Sequence, residues 1–413
     1  MFQVISVEEA ISKVTANIDK YFEGLESEQI KSENALGRVL AQDIKAPSDL
    51  PPFSRSTVDG YVVKAKDTFG VSESLPAVLF NKGKIEMGEE PHKTLNQDET
   101  MEISTGGMLP SGGDAVVMLE DVETFDDNSI IVNKSVARGE NVIEKGEDTQ
   151  EGVTVLRKGH RLRSQDIGAL AALGILEISV YHQPVIGIIS TGDELIPPEK
   201  PLSGGKIRDI NSWALSAAVT KLGGKPIQYG IIQDEPQYFR ESFDKAVTQC
   251  DMVILSGGSS VGTRDLTAKT IDLGEPGIIF HGVSVKPGKP TIFGIVDNVP
   301  VFGLSGNPVS AMVTFDLFVK PAIYGISGVA NFGRDWFENI TKARLARNIS
   351  SKGGREDFVR VSLKGEPGEF PEAFPVLGES GLIFTLVEAD GLVRIPQNTE
   401  GYSQGEIIEV IKC

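Results

Sequence analysis

Asp251 to Asp265 reads DMVILSGGSSVGTRD. Met252 to Leu255 form a short apolar run of the kind a fully buried strand uses. Ser256, Gly257, Gly258, Ser259 and Ser260 follow at once, then Gly262 and Asp265, and the next segment, TAKTIDL, has helical character. Strand, turn and helix in that order make the basic α/β unit, and ligands bind at the carboxyl ends of such strands. Glycines there let the backbone approach an anion closely, and free N–H groups can hold it. The same residues also make an ordinary tight βα turn, and the stretch alone does not separate the two.

Outward from this stretch the α/β pattern continues. PVIGIIS and KPIQYGIIQ read as buried strands, WALSAAVTKLG and PQYFRESFDKAVTQ as helices, and TIFGIV and VPVFGL as further strands before SGNPVSAMVTFDLFVKPAI. Strands alternating with helices predict a mostly parallel sheet with helices on both faces. Asn307 is an expected N-cap, with Pro308 at the first helical position. After residue 330, DFVRVSL, GLVRIP and GEIIEVIKC alternate with Gly-rich turns, which predicts a small β-barrel or sandwich. Towards the N-terminus, Val4, Val7, Ala10, Ile11, Val14, Ile18 and Phe22 recur at helical spacing, and Ser32 to Leu40 reads as a second helix. Pro51 and Pro52 exclude helix, and 61–141 carries short strands between turns, a small β-rich unit. SQDIGALAALG reads as a helix with Ser164 as N-cap and Gly174 just past its end. It can return to pack on the N-terminal helices, giving one discontinuous domain.

The chain has 413 residues, which predicts roughly two to four domains. Its net charge is −18, so no broad basic face is expected and nucleic acid is excluded as the main partner. An anionic ligand would need a local cluster of cations, backbone N–H groups or a metal. Two cysteines, Cys250 and Cys413, and four scattered histidines offer no disulfide framework and no His-based zinc site; a reducing cytoplasm fits. No signal-peptide pattern and no apolar run of roughly 18 residues is evident, so no membrane association is expected.

Polar clusters fall at the ends of the expected sheet strands. Thr191, Asp193 and Glu194 follow PVIGIIS; Asp209 and Asn211 open a helix; Asp234 and Glu235 follow YGIIQ; Lys286 and Lys289 flank Pro287-Gly288; Ser305, Gly306 and Asn307 turn onto a helix N-terminus. Each alone reads more readily as a cap or a surface turn than as a binding residue. Together they gather at one edge of a parallel sheet. Carboxylates without His or Cys favour a hard cation such as Mg²⁺, and lysines beside Gly-rich turns suit a phosphate-bearing ligand. Walker A and GxGxxG motifs are absent from the sequence.

The set PPFSRSTVDGY, STGGMLPSGGDAVVM, RGENVIEKGED, STGDEL, SGGSSVGTRD, KPGKP and GLSGNPVSA, in this order, resembles the molybdopterin molybdenumtransferases, the MoeA family, which includes the E domain of gephyrin. The resemblance spans essentially the whole chain. It implies four domains: a discontinuous helical domain (1–50 and 142–182), an inserted β domain (51–141), a molybdopterin-binding α/β domain (183–329) and a C-terminal β-barrel (330–413). It further implies a homodimer with its cleft at the subunit interface. The implied reaction inserts molybdenum from molybdate into adenylylated molybdopterin, with release of AMP and with Mg²⁺ or a similar cation. Substrate-delivering partners are implied as well, a molybdopterin adenylyltransferase being the candidate.

By position, the resemblance assigns Ser256 to Gly262 to the pterin and phosphate region, with the turn Ser305, Gly306, Asn307 and Pro308 beside it. Asp265, Asp234 and Glu194 become the acids that hold the cation or position the adenylate, and Lys286 and Lys289 neutralise phosphate or molybdate. Asp59, Thr105 and Asp148 line the cleft from the other domains, and Ser310, Arg360 and Ser380 fall where molybdate is expected. Three residues depart from the family pattern: Ser305 stands for Pro, Ile210 for Ser and Ser259 for an aliphatic residue. They bear on loop shape and on the choice of oxyanion, including a tungstate preference. The competing expectations are a non-catalytic binding scaffold and a molybdopterin adenylyltransferase using ATP. The acids and lysines favour the transferase.

Overall fold

The structure is a computed structural model and describes residues 4–126, 128–233, 235–257, 261–332, 339–366 and 370–412, the side chains of 22–23 and 261–265 excepted. Its centre is a six-stranded sheet of β1 (Val185–Thr191), β2 (Lys225–Ile232), β3 (Met252–Gly257), β4 (Gly277–His281), β5 (Ile292–Val296) and β6 (Val299–Ser305). The strand order is β2-β1-β3-β6-β5-β4. β2, β1, β3 and β6 run parallel, and β5 is antiparallel to both of its neighbours. Parallel strands are covered on both faces, which is why these segments are apolar almost throughout. Ile186, Ile188, Met252, Ile254 and Phe302 join the core on one face; Ile189, Val253, Leu255 and Val301 join that on the other. Helices Pro236–Gln249 and Val261–Asp272 cover the second face, the former inserting Phe239 and Phe243. Helix Asn211–Lys221 covers the first, together with the helical run Pro308–Ile326. That run is long and apolar enough to cross a membrane, but 78% of its apolar window is buried inside the protein, as a core helix is.

Connections from β1 and β3 leave towards opposite edges of the sheet, so a crevice opens between their carboxyl ends. Ser190 and Thr191 of β1 lie in register with Ser256 and Gly257 of β3 at this point.

The inserted domain is a six-stranded sheet, in the order Ala115–Met118, Gly60–Val63, Glu99–Ile103, Ala77–Ile85, Ser129–Val132 and Val122–Asp126. The C-terminal domain closes five strands, Ile340–Leu345, Glu356–Lys364, Glu372–Pro375, Gly391–Ile395 and Ile407–Lys412, into a barrel. Val285 and Lys286 add a short parallel strand to Glu356–Lys364, which fixes the KPGKP loop against the barrel.

The N-terminal region differs from expectation. Helix Val7–Ile18 is capped by Ser6, whose Oγ accepts from Glu9 N–H at 3.0 Å. It buries Val7, Ala10, Val14 and Ile18 in the α/β core rather than against residues 142–182. The expected helix Ser32–Leu40 is a single 3₁₀ turn, Ser32–Asn34, preceded by strand Ser27–Lys31. Ala35, Leu40 and Ile44 pack instead with Leu162, Leu170 and Ile178, and this long-range packing overrides the local helical spacing.

Helix Ser164–Ala172 is capped by Asp166, not by Ser164. The Asp166 carboxylate accepts from Arg163 N–H at 2.8 Å and from its guanidinium at 3.0 and 3.1 Å, and it bonds His160 Nε2 at 2.7 Å. Burial pushes this carboxyl up, but Arg163 and His160 outweigh burial and hold it well below the ordinary 3.8. A depressed pKa adds stability above the unfolded-state value and loses it as the pH falls through the folded one. Asp166→Asn is therefore expected to cost about 1.5–3 kcal/mol at neutral pH. The gap between variant and wild-type denaturation midpoints should shrink as the pH falls below 3.8.

Candidate active site

Two clefts meet at the carboxyl edge of the sheet. The smaller, about 200 Å³, occupies the β1/β3 crevice. Its walls come from four loops that the sequence singled out: Thr191–Leu195, Arg208–Asn211, Ser256–Gly257 and Gly306–Pro308. Close approach explains two of the glycines. A Cβ on Gly257 (φ +151°) would lie 2.2 Å from Thr191 O, and one on Gly192 (φ +147°) would lie 2.8 Å from Glu194 Oε2. Asn211 Nδ2 donates to Ser256 Oγ (2.8 Å) and Gly306 O (3.0 Å), tying two of these loops together. Asp209 is engaged in capping, accepting from Ser212 N–H (3.1 Å) and its hydroxyl (2.6 Å). Ile210, 37% exposed, lines the same cleft.

The larger cleft, about 930 Å³, lies between the sheet and the barrel. It carries five cationic side chains, Lys286, Lys289, Lys352, Arg355 and Arg360, against two acids, Asp357 and Glu379. Arg355 is held by buried Asp357 at 2.9 Å. Among the described residues, the other four cations have no carboxylate partner. Arg360 donates from Nη1 to Thr385 Oγ1 (2.6 Å) and from Nη2 to Gly378 O (2.7 Å), while its buried Nε has no partner among the described residues. Burial pushes this guanidinium down from its ordinary value, and an anion would relieve that cost. Ser310, 4% exposed, and Ser380 complete the wall. Asn307 begins the helix as expected, but its side chain makes no capping bond: Nδ2 donates to Ser380 Oγ (3.0 Å), joining the α/β domain to the barrel. Ser305 accepts from Asn307 N–H at 3.3 Å, a bond that proline there could not make.

The structure thus brings together Glu194, Ser256, Gly257, Gly306, Asn307 and Pro308 in one cleft, and Lys286, Lys289, Ser305, Asn307, Ser310, Arg360 and Ser380 in the other. Asp59 and Thr105 meet each other: Asp59 Oδ1 accepts from Thr105 N–H at 2.8 Å and from its hydroxyl at 3.2 Å. Asp148 is held through its N–H to Leu50 O (3.0 Å). These three line neither cleft within the chain. Asp234, Gly258, Ser259 and Ser260 lie outside the described residues, as does the side chain of Asp265; Gly262 belongs to the helix Val261–Asp272. Among the described residues no group of three or more His, Cys, Asp or Glu side chains forms a metal site. Lys352 and Arg355 were not anticipated, although their SKGGR turn pairs cations with glycines much as KPGKP does.

Fold and clefts define a multidomain α/β protein that can hold an anion beside a sheet edge. Three family models match in sequence: the MoeA N-terminal region (domain I and II) over 5–174, the "probable molybdopterin binding domain" over 187–325, and the MoeA C-terminal region (domain IV) over 342–413. A Methanocaldococcus jannaschii protein named for molybdopterin biosynthesis is 40% identical over 385 residues, covering 91% of this chain and 89% of its own. The molybdopterin molybdenumtransferase of Bacillus subtilis is 31% identical, covering 98% and 94%. A crystal structure of a molybdopterin biosynthesis MoeA protein from Pyrococcus horikoshii superposes over 100% of both chains with a TM-score of 0.83 at 33% identity. The chain belongs to the MoeA family and to molybdenum cofactor biosynthesis.

Proposed function

We propose that this protein is a molybdopterin molybdenumtransferase that joins molybdenum from molybdate to adenylylated molybdopterin and releases AMP. One observation carries the reading: a chain of net charge −18 concentrates in a single cleft, against the molybdopterin-binding sheet, four cations that have no carboxylate partner among the described residues. Capture of a tetrahedral dianion needs fixed positive charge and preorganised donors, not a covalent nucleophile. Arg360, Ser310 and Ser380 form the oxyanion end, and Lys286 and Lys289 neutralise charge as adenylate and oxyanion approach. Mg²⁺ belongs to this reading as the cation that offsets phosphate charge. A homodimer supplies what one chain leaves apart, placing Asp59, Thr105 and Asp148 of a second copy at the cleft.

Purified protein given adenylylated molybdopterin, Mg²⁺ and molybdate should release AMP and form molybdenum-loaded cofactor. ATP-dependent adenylylation of molybdopterin instead would overturn the reading in favour of an adenylyltransferase. Lys286→Ala should raise the KM for molybdate by about 10-fold or more, charge-assisted bonds being the ones lost. Added salt should narrow the difference between variant and wild type.

A further inference from the structure

The cleft between sheet and barrel is lined by three serines near its Asn307 turn, Ser305, Ser310 and Ser380. Two of their hydroxyls are tied to one residue. The Asn307 N–H donates to Ser305 Oγ at 3.3 Å, and Asn307 Nδ2 donates to Ser380 Oγ at 3.0 Å. Ser305 is the last residue of a sheet strand, Val299–Ser305, whereas Ser380 belongs to the C-terminal domain. A second bond holds the two domains together at this point, from Val309 N–H to Ser380 O at 3.1 Å.

A serine hydroxyl has one proton to give and two lone pairs with which to accept. An oxygen that already accepts is polarised towards donating. Neither hydroxyl proton has an acceptor among the described residues. Asn307 therefore leaves one hydroxyl from each domain free to donate into the same cleft. The two carboxylates of the cleft do not compete for these protons: Asp357 is buried and paired with Arg355, and Glu379 is solvent-exposed. Such a wall offers protons and takes none. A tetrahedral dianion without a proton, such as molybdate or sulfate, satisfies every donor. Hydrogenphosphate has the same charge, but its own proton needs an acceptor, and the oxygen that carries it meets a donor.

We propose that Asn307 is a positioning residue that sets Ser305 and Ser380 as a donor pair across the domain boundary. Ser305 is then a further oxyanion-binding residue, and the pair makes the cleft select proton-free dianions over phosphate. This rests on the reading that the cleft takes an oxyanion.

The probes are molybdate, sulfate and inorganic phosphate, each titrated by calorimetry into the full-length protein at mildly alkaline pH, where phosphate is the hydrogenphosphate dianion. Sulfate matches phosphate in charge and shape, so the pair isolates the proton. Sulfate should bind about 10-fold or more tighter than phosphate, the cost of one unmet bond to a charged group. Asn307→Ala should weaken molybdate and sulfate by about 10-fold and phosphate by less, so that the preference narrows. In a Ser380→Ala background the same substitution should cost about 2-fold at most, because the two residues act as a unit. A loss of turn shape alone would cost the same in both backgrounds. Ser305→Ala should weaken both proton-free dianions about 10-fold, and Ser305→Thr should restore them. Sulfate and phosphate bound alike by the wild type, or a wild-type preference kept by both alanine variants, would overturn the assignment and leave the transferase reading standing. The expected preference in a protein that releases no AMP would sink the transferase reading and leave the donor pair standing.

Discussion

Replacing Arg360 with alanine is expected to lower molybdate incorporation about 10²–10³-fold, the usual cost of removing one preorganised oxyanion donor. Arg360 lies on barrel strand Glu356–Lys364, where Thr385 and Gly378 fix both terminal nitrogens at 2.6 and 2.7 Å. The guanidinium therefore points into the cleft without the entropy cost of ordering it at the moment of binding. Arg360→Lys should recover little of the activity, because an ammonium cannot reproduce two fixed bonds and still present a donor to the anion. Steady-state assays with varied molybdate check this, with the melting temperature as the control for folding. A fall of less than about 10-fold would remove Arg360 from the group of oxyanion donors.

The second large effect concerns the scaffold. Phe302→Ala on β6 should cost about 3–5 kcal/mol. The ring is fully buried and stacks on Phe293 at 4.7 Å between centroids, and Phe293 in turn packs on Phe280 at 5.7 Å. Truncation leaves a cavity under the strand that carries Ser305 and the Asn307 turn, so activity should fall together with stability. Urea denaturation should show a midpoint lowered by about 1 M or more. Phe302→Leu, which keeps most of the volume, should cost much less. Equal stability of all three proteins would contradict the packing described for this face.

The sequence made the α/β half of the molecule legible because its signal is local. Met252–Leu255 and Val301–Leu304 are apolar without a break, as strands covered on both faces must be, and polar residues begin where the strands end. The seven motifs located the loops. What could not be read locally depends on contacts between distant segments. The segment Ser32–Leu40 reads locally as a helix, but the packing partners of Ala35 and Leu40, Leu162 and Leu170, lie more than a hundred positions away. Ser164 looks like a cap, while Asp166 takes the role because Arg163 and His160 converge on it. In the site, Lys286 and Arg360 meet only because a two-residue strand from the α/β domain pairs with the barrel, and no pattern in either segment announces that pairing. Asn211 and Lys352 carry chemistry by position alone: one bridges two loops across the crevice, and the other reaches the cleft from a turn between strands of two different sheets.

Anomalous diffraction from crystals soaked in molybdate or tungstate should show a metal peak in the cleft between sheet and barrel, with its oxygens in hydrogen-bond reach of Arg360 and of Ser310 or Ser380. A fully occupied peak elsewhere, with that cleft empty, would contradict it.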